Sequence, residues 1–341
     1  MTATDPSAAG TIDTTANGLA RWLTEAWGRA VDVSGLRESS AGARRRNVLF
    51  DARVDGKVVA LAATILPTAE IQIIDVAIEA AVRSVAERGG VPVPHVHGVC
   101  TDDGYVGGPF FISDRIEGDT IARRILRQAA ATGHGEIVVN QIGDALARLH
   151  AIDPSEAPPG LPGTVDMQPI TTAMAGVTEA VAGLLRPEPA FSYGLRWLRD
   201  NLPDEPASCR IIHTDVRNGN IIVGPEGLRA ILDWEGSRFG DPMEDVAWPC
   251  TRMWRFGDDD KMIGGLGGLA PYRAGYEAAG GVWNEERFRW WRVLVTLRWG
   301  TGLAGQTAAH LDGRFRSIVM AGSGRRVIEL AYDMLQLVKP D

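Results

Sequence analysis

The chain has 341 residues, of which 45% are hydrophobic, 23% charged and 7% aromatic. This composition excludes a disordered chain and a disulfide-stapled miniprotein, and the length suffices for one large or two medium domains with a sizeable core. Acidic residues outnumber basic ones, 43 to 35, for a formal charge of −8, which argues against nucleic acid as a partner.

Residues 1–17 are rich in Thr, Ala and Ser, with neither a basic start nor an apolar stretch, and read as a mobile leader rather than a secretion signal. Leu19, Trp22, Leu23 and Ala26 recur at helical spacing and predict a helix over 18–30. Residues 47–62 read as a hairpin turning at Asp55-Gly56. Its apolar run over 58–67 is the longest in the chain and too short to span a bilayer, which argues against membrane insertion. Helical spacing returns over 71–88 and ends at Gly89-Gly90; Val91-Pro92-Val93-Pro94 then leads into short strands at 95–100 and 109–114. Beyond Gly118 the pattern is mainly helical, over 120–128, 136–150, 192–202, 271–279, 285–304 and 324–338, with a Pro/Gly-rich loop at 154–163. The order predicts an α+β, bilobal chain: the leader 1–17, an antiparallel-sheet lobe over 18–117 and a larger, mainly helical lobe over 118–341. The three cysteines, Cys100, Cys209 and Cys250, lack metal-site or disulfide spacing and suit a reducing, cytoplasmic setting.

Chemistry concentrates between residues 210 and 248. A short strand at 210–212 runs into the polar loop His213-Thr214-Asp215-Val216-Arg217-Asn218-Gly219-Asn220, and strands at 221–223 and 230–232 form a hairpin around Gly224-Pro225-Glu226-Gly227. The hairpin brings Asn220, at the start of one strand, beside Asp233, at the end of the other, with Asp215 on the loop just before. Hard oxygen donors so arranged suit Mg²⁺, which completes its octahedron with waters and substrate phosphates. Further on, Asp241-Pro242-Met243-Glu244 reads as a capping box that starts a helix, with Asp245 favourably placed in its first turn.

His-x-Asp-x-x-x-x-Asn followed thirteen residues later by Asp resembles the catalytic and metal-binding segments of the protein-kinase-like fold. The wording HTDVRNGN, LDWE and GDPMEDVAW is similar to the aminoglycoside phosphotransferase and choline kinase branch, which phosphorylates small molecules. The resemblance spans roughly residues 36–335 and implies an enzyme that moves the γ-phosphoryl group of ATP, or another nucleoside triphosphate, to a small-molecule hydroxyl with Mg²⁺. By it, Asp215 is the catalytic base, His213 braces the loop, and Asn220 and Asp233 hold the metal. Residues 109–118 resemble the strand and hinge that bind adenine through backbone groups, here those of Ser113 and Arg115, and His150 falls on the helix before the catalytic loop as a packed or capping residue.

One element departs from the pattern. The strand after the hairpin should carry a Lys or Arg for the nucleotide phosphates, paired to a Glu on the next helix; Glu79 is that Glu, but the basic position falls at Ala62 or Ala63. Arg44, Arg45 and Arg46, in the place of the nucleotide-covering loop, offer a substitute, since arginine binds phosphate bidentately. The run reads equally well as a solvated charge cluster. Two functions therefore stand side by side: an active small-molecule kinase, and a pseudokinase that keeps the fold for ligand binding or regulation. Most of the late tryptophans read as helix-packing core, with one or two left to line an acceptor pocket. The acceptor's identity and the oligomeric state leave no signal.

Overall fold

A computed structural model describes residues 6–38, 45–66, 73–314 and 316–339, with side chains from residue 14 onward. The chain starts with α1 (Pro6–Trp27), followed by β1 (Asp32–Glu38), β2 (Arg46–Val54), β3 (Lys57–Ile65), α2 (Val76–Arg88), β4 (Val96–Cys100) and β5 (Phe110–Asp114). The five strands form one antiparallel sheet in the order β1-β2-β3-β5-β4. Asp55 and Gly56 both take positive φ, 47° and 76°, as a type I′ turn requires, and Val54 therefore faces Lys57 across the hairpin.

The pleat of β3 separates two environments. Leu61, Ala63 and Ile65 are fully buried in a cluster with Phe50, Phe110 and the α1 residues Leu19 and Leu23. Ala62 and Thr64 point to the other face, where Phe111, the register partner of Thr64, packs on Val76 and Ala80 of α2. Of the two positions considered for the phosphate-binding residue, Ala62 thus faces α2 and Ala63 faces away.

The leader expected at 1–17 is helical from Pro6 onward. Proline is tolerated in a first turn, where its missing N–H has no intrahelical partner. Among the described side chains of α1, Thr15, Leu19 and Leu23 are buried.

Residues 115–121 cross to the second lobe, with Gly118 at φ 147° and Asp119 bridged to Val223. There α3 (Ala122–Thr132), α4 (Gly135–Ala151), α5 (Pro169–Ala182) and α6 (Pro189–Asp200) precede β6 (Arg210–Ile212), β7 (Ile221–Gly224), β8 (Gly227–Ile231) and β9 (Arg238–Gly240). β6 pairs with β9, and β7 with β8. α7 (Pro242–Ala247), α8 (Leu269–Ala278), α9 (Glu285–Leu311), α10 (Ile318–Ser323) and α11 (Val327–Val338) complete the lobe. α4 and α8 touch backbone to backbone: a Cβ on Gly143 would stand 2.2 Å from the Tyr272 carbonyl oxygen, and one on Gly275 2.1 Å from that of Asn140. Trp290 and Trp291 of α9 are core residues, as expected. Among the described residues no helix is long and apolar enough to cross a membrane.

Candidate active site

The short β7–β8 hairpin sets the geometry of the site. Ile221 pairs with Ile231, and the Leu232 amide donates to the Asn220 carbonyl at 2.8 Å, which puts Asn220 and Asp233 at the same end of the hairpin. The 213–220 loop folds over that end. His213 is buried; its Nε2–H donates to the Leu232 carbonyl at 3.0 Å, and its Nδ1 accepts from the Asp215 amide at 3.1 Å. These two bonds make His213 a two-sided brace between Leu232 and the 213–220 loop.

Asp215 is held from three directions. Oδ1 accepts from the Trp248 indole N–H at 2.8 Å and from Arg217 Nε at 3.0 Å, and Oδ2 accepts from Asn220 Nδ2 at 2.6 Å. Burial pushes its carboxyl above the usual range, opposed first by the charge of Arg217 and also by the Trp248 bond. Asn220 Nδ2 also donates to the Asp215 carbonyl at 3.0 Å, so its N–H groups are committed and its side-chain oxygen is the end left for a cation. Together with the Asp233 carboxylate, 36% exposed, it offers hard oxygen donors that fit Mg²⁺, an ion needing few protein ligands. Among the described residues there is no cluster of three His, Cys, Asp or Glu that could hold a metal.

The loop hangs from Asp245, which is fully buried. Its carboxylate accepts from the amides of His213 at 2.6 Å and Thr214 at 2.5 Å, and from His150 Nε2 at 3.2 Å. Tyr276 Oη, 2.9 Å from Nδ1, fixes the other side of the His150 ring. Burial opposes ionisation here, yet the bonds from His150 and the nearby His213 hold this carboxyl below the usual range. Asp245, expected only to favour a helix N-terminus, thus fastens the 213–220 loop. Thr214 takes φ 74°, a conformation that costs a non-glycine residue of order 1–3 kcal/mol unless its surroundings impose it. The Asp245 bond and a 3.1 Å bond from Thr214 Oγ1 to the Gly236 carbonyl impose it. Asp241 caps α7 as expected, accepting from the Met243 amide at 3.0 Å, but Glu244 does not close the box: it pairs with Arg238 at 2.5 Å and Arg298 at 2.6 Å.

Arg45 gives Glu79 the cationic partner that Ala62 cannot supply. Its Nη1 lies 2.9 and 2.7 Å from the two oxygens of Glu79, its Nη2 lies 2.7 Å from Glu235, and Asp233 is 3.9 Å away. Burial alone would depress its pKa; Glu79, Glu235 and Asp233 lift it above the ordinary arginine value. Arg46 points the other way, to Glu38 at 2.9 Å and to Thr15 of α1 at 3.4 Å, and takes no part in this cluster. Arg44 lies outside the described residues. Sequence reasoning missed Arg83, one helical turn beyond Glu79. It is buried, with its guanidinium 4.6 Å over the Phe111 ring and its Nε without a partner, and burial brings its pKa down to about 10. A Glu-x-x-x-Arg spacing on one helix face was its only signal.

The expected hinge contacts need correction. Ser113 lies inside the sheet between Ala62 and Val96, and the Arg115 amide is spent on the Ala60 carbonyl at 3.0 Å while its side chain pairs with Asp51 at 2.9 Å. The sheet continues one residue past the strand end read from sequence. Ile116 carries the next amide, for which the described residues hold no partner. Trp248, Trp254 and Trp299 pack on one another in tilted and edge-to-face contacts beside Asp215, with ring centroids 5.4–5.8 Å apart, and Arg217 lies 4.8 Å over Trp254. Trp248 therefore belongs to the site as a hydrogen-bond donor, a role that composition and spacing do not reveal.

Comparison with known proteins bears on this arrangement. The model of a phosphotransferase enzyme family matches residues 36–291. A Ralstonia eutropha protein assigned as an aminoglycoside phosphotransferase superposes with a TM-score of 0.69 at 20% identity, covering 94% of this chain and 97% of its own. An aminoglycoside phosphotransferase in ternary complex with AMP-PNP and hygromycin B gives 0.63 at 18% identity, covering 95% of this chain and 100% of its own. At these identities the likeness concerns the fold. Mouse acyl-CoA dehydrogenase family member 10 is 26% identical over 263 residues, which are 72% of this chain and 24% of that protein, so the chain spans about a quarter of the length of this curated relative. With three quarters of its length matched by the family model, the chain belongs to the phosphotransferase enzyme family, and it shares the kinase-like fold of the two superposed structures.

Proposed function

We propose that the chain transfers the γ-phosphoryl group of ATP to a hydroxyl of a small molecule in a Mg²⁺-dependent reaction. The observation that carries this reading is the Arg45–Glu79 ion pair, which supplies a cation where the strand offers only Ala62. The pseudokinase reading rested on that gap. Asp215 receives the proton of the acceptor hydroxyl, and the bonds from Trp248, Arg217 and Asn220 fix its carboxylate while it does so. Asn220 and Asp233 would hold Mg²⁺, which when bound neutralises charge on the triphosphate. Arg45 is the residue that meets the phosphates, leaving Glu79 to orient it. The Ile116 amide is the hinge donor best placed for an adenine edge. AMP-PNP in a structural neighbour supports a nucleoside triphosphate as donor.

The test is ATP consumption with Mg²⁺ across a panel of hydroxylated small molecules, run on wild type and Asp215→Asn. Loss of a general base lowers turnover by roughly 10²–10⁴-fold, with ATP affinity by calorimetry kept within a few-fold. Absence of nucleotide binding to the wild-type chain would sink the proposal.

A further inference from the structure

The helical lobe holds a second cationic cluster besides the one around Arg45. A cavity of about 300 Å³ lies between the segment 247–259, α9 and α11. That volume is at the lower end of what small-molecule sites occupy. Four cations line it, Arg252, Arg255, Arg292 and Lys339, against two carboxylates, Asp259 and Asp333. Both carboxylates are consumed by Arg252, whose Nε and Nη2 each lie 2.7 Å from Asp259 and whose Nη1 lies 2.9 Å from Asp333.

Among the described residues, the remaining cations meet no carboxylate that is not already paired with Arg252. Arg255, 9% exposed, donates to the carbonyls of Cys250 at 2.9 Å and Asp259 at 3.3 Å and stands 3.9 Å from the already paired Asp259 carboxylate. Its Nε is buried without a partner, as is the hydroxyl of Thr251. Arg292 has no ion pair among the described residues; its guanidinium lies 5.7 Å from the Phe288 ring centroid. Burial, and then the like charge of Arg292, depress the pKa of Arg255. A folded protein rarely leaves a buried N–H and a buried hydroxyl unsatisfied beside two like-charged guanidinium groups around an open volume, because each costs free energy until something accepts its hydrogen bond.

We infer that this cavity binds the anionic group, phosphate or carboxylate, of a small molecule, with Arg255 and Arg292 as its counter-charges and the Thr251 hydroxyl as an added donor. The wall carries a link to the chemistry. Ala247, Cys250 and Thr251 line the cavity, and Trp248 between them donates to Asp215. An occupant would therefore steady the segment that presents the indole to the base.

Inorganic phosphate is the probe, titrated by calorimetry into the full chain without nucleotide, so the outcome does not depend on the kinase reading. Wild type and Arg45→Gln should bind phosphate alike, whereas Arg292→Gln should bind about tenfold more weakly or worse, the loss expected for one charge-assisted hydrogen bond. Arg292 is only half-buried, so this variant should fold, and Arg292→Lys should recover part of the affinity. Equal affinity in Arg292→Gln and wild type overturns the inference, as does loss of binding in Arg45→Gln, which would move the phosphate to the nucleotide side. Two further arms separate the sources of the anion. If 3-hydroxybutyrate provokes ATP consumption that Arg292→Gln lacks, the cavity holds the acidic end of the acceptor. If butyrate and 3-hydroxybutyrate bind alike and neither provokes consumption, the anion is a separate ligand.

Discussion

Replacing Arg45 with glutamine separates the enzyme from the empty scaffold, and the structure sets the scale of the effect. Arg45 is 10% exposed and its partner Glu79 only 1%, so the variant strands a buried carboxylate. Breaking a buried pair costs about 3–5 kcal/mol. Arg83, four residues along α2, stays near Glu79 and should keep the loss at the low end, about 3 kcal/mol. Binding should respond differently. A guanidinium contact to phosphate contributes about 1.5–3 kcal/mol, so ATP affinity should fall by between about ten- and a hundredfold. Adenosine, which carries no phosphate, should bind as before. Calorimetry with both ligands at low and high salt reads the difference, and the ATP penalty should shrink as screening weakens the lost contact in wild type. Lysine at position 62, on the face turned toward α2, should restore ATP affinity in the Arg45→Gln background, with Glu79 to hold it. The reasoning fails if ATP and adenosine lose affinity together, or if neither does.

Three other variants address single links of the site. Asp233→Ala should remove the Mg²⁺-dependent part of ATP affinity, since Asn220 would remain as a lone neutral donor; calorimetry with and without Mg²⁺ measures it. Asp245→Asn should lower both stability and turnover, by about 1.5–3 kcal/mol for the first, because an amide cannot accept from both the His213 and Thr214 N–H groups as a carboxylate does. The Asp245 carboxyl is depressed in the folded chain, so its contribution is complete above the ordinary aspartate value of about 3.9 and disappears as pH falls through the folded value; chemical denaturation should show wild type and variant converging only below about pH 4. Trp248→Phe keeps the ring and deletes the indole N–H that favours ionised Asp215. The base, already raised by burial, should rise further, so turnover should fail at a higher pH on the acid side than in wild type.

The parts of this site that could be read from the sequence are those fixed by local geometry. Asp215, Asn220 and Asp233 converge because a tight turn at Gly224–Gly227 sets the hairpin register, and a turn is written in neighbouring residues. Arg45 and Arg46 show where local reasoning stops. Adjacent residues at a strand end point to opposite faces, so one meets Glu79 and the other meets Glu38 and Thr15, and only the position of α1 and α2 says which is which. Trp248 and Asp245 act through partners more than thirty residues away in the chain, and a composition or period holds no record of such pairings. That the Arg115 amide is already spent was hidden for a similar reason, since the sheet runs on by one hydrogen bond, from Arg115 to Ala60, that no side chain signals. α5 escaped notice because Pro169, Ile170 and Val177 are its only buried residues, too few to make a stripe, and β1, with two half-buried positions among exposed ones, shows no alternation.

The helix α1 has a consequence for where this protein begins and ends as a cooperative unit. The family match opens at residue 36, after α1 has finished, yet Leu19 and Leu23 are fully shielded from solvent and close over Phe50, Phe110, Leu61 and Ile65. At the other limit the match stops at residue 291, early in α9, while Leu330 and Met334 of α11 are fully enclosed in the same cluster as Phe191. A polypeptide trimmed to the conventional family borders would keep every residue proposed for the reaction and still expose aromatic rings on two flanks, turning an intact candidate site into an aggregating fragment. Inherited motif and autonomous folding unit have different borders here, and the outer helices belong to the second.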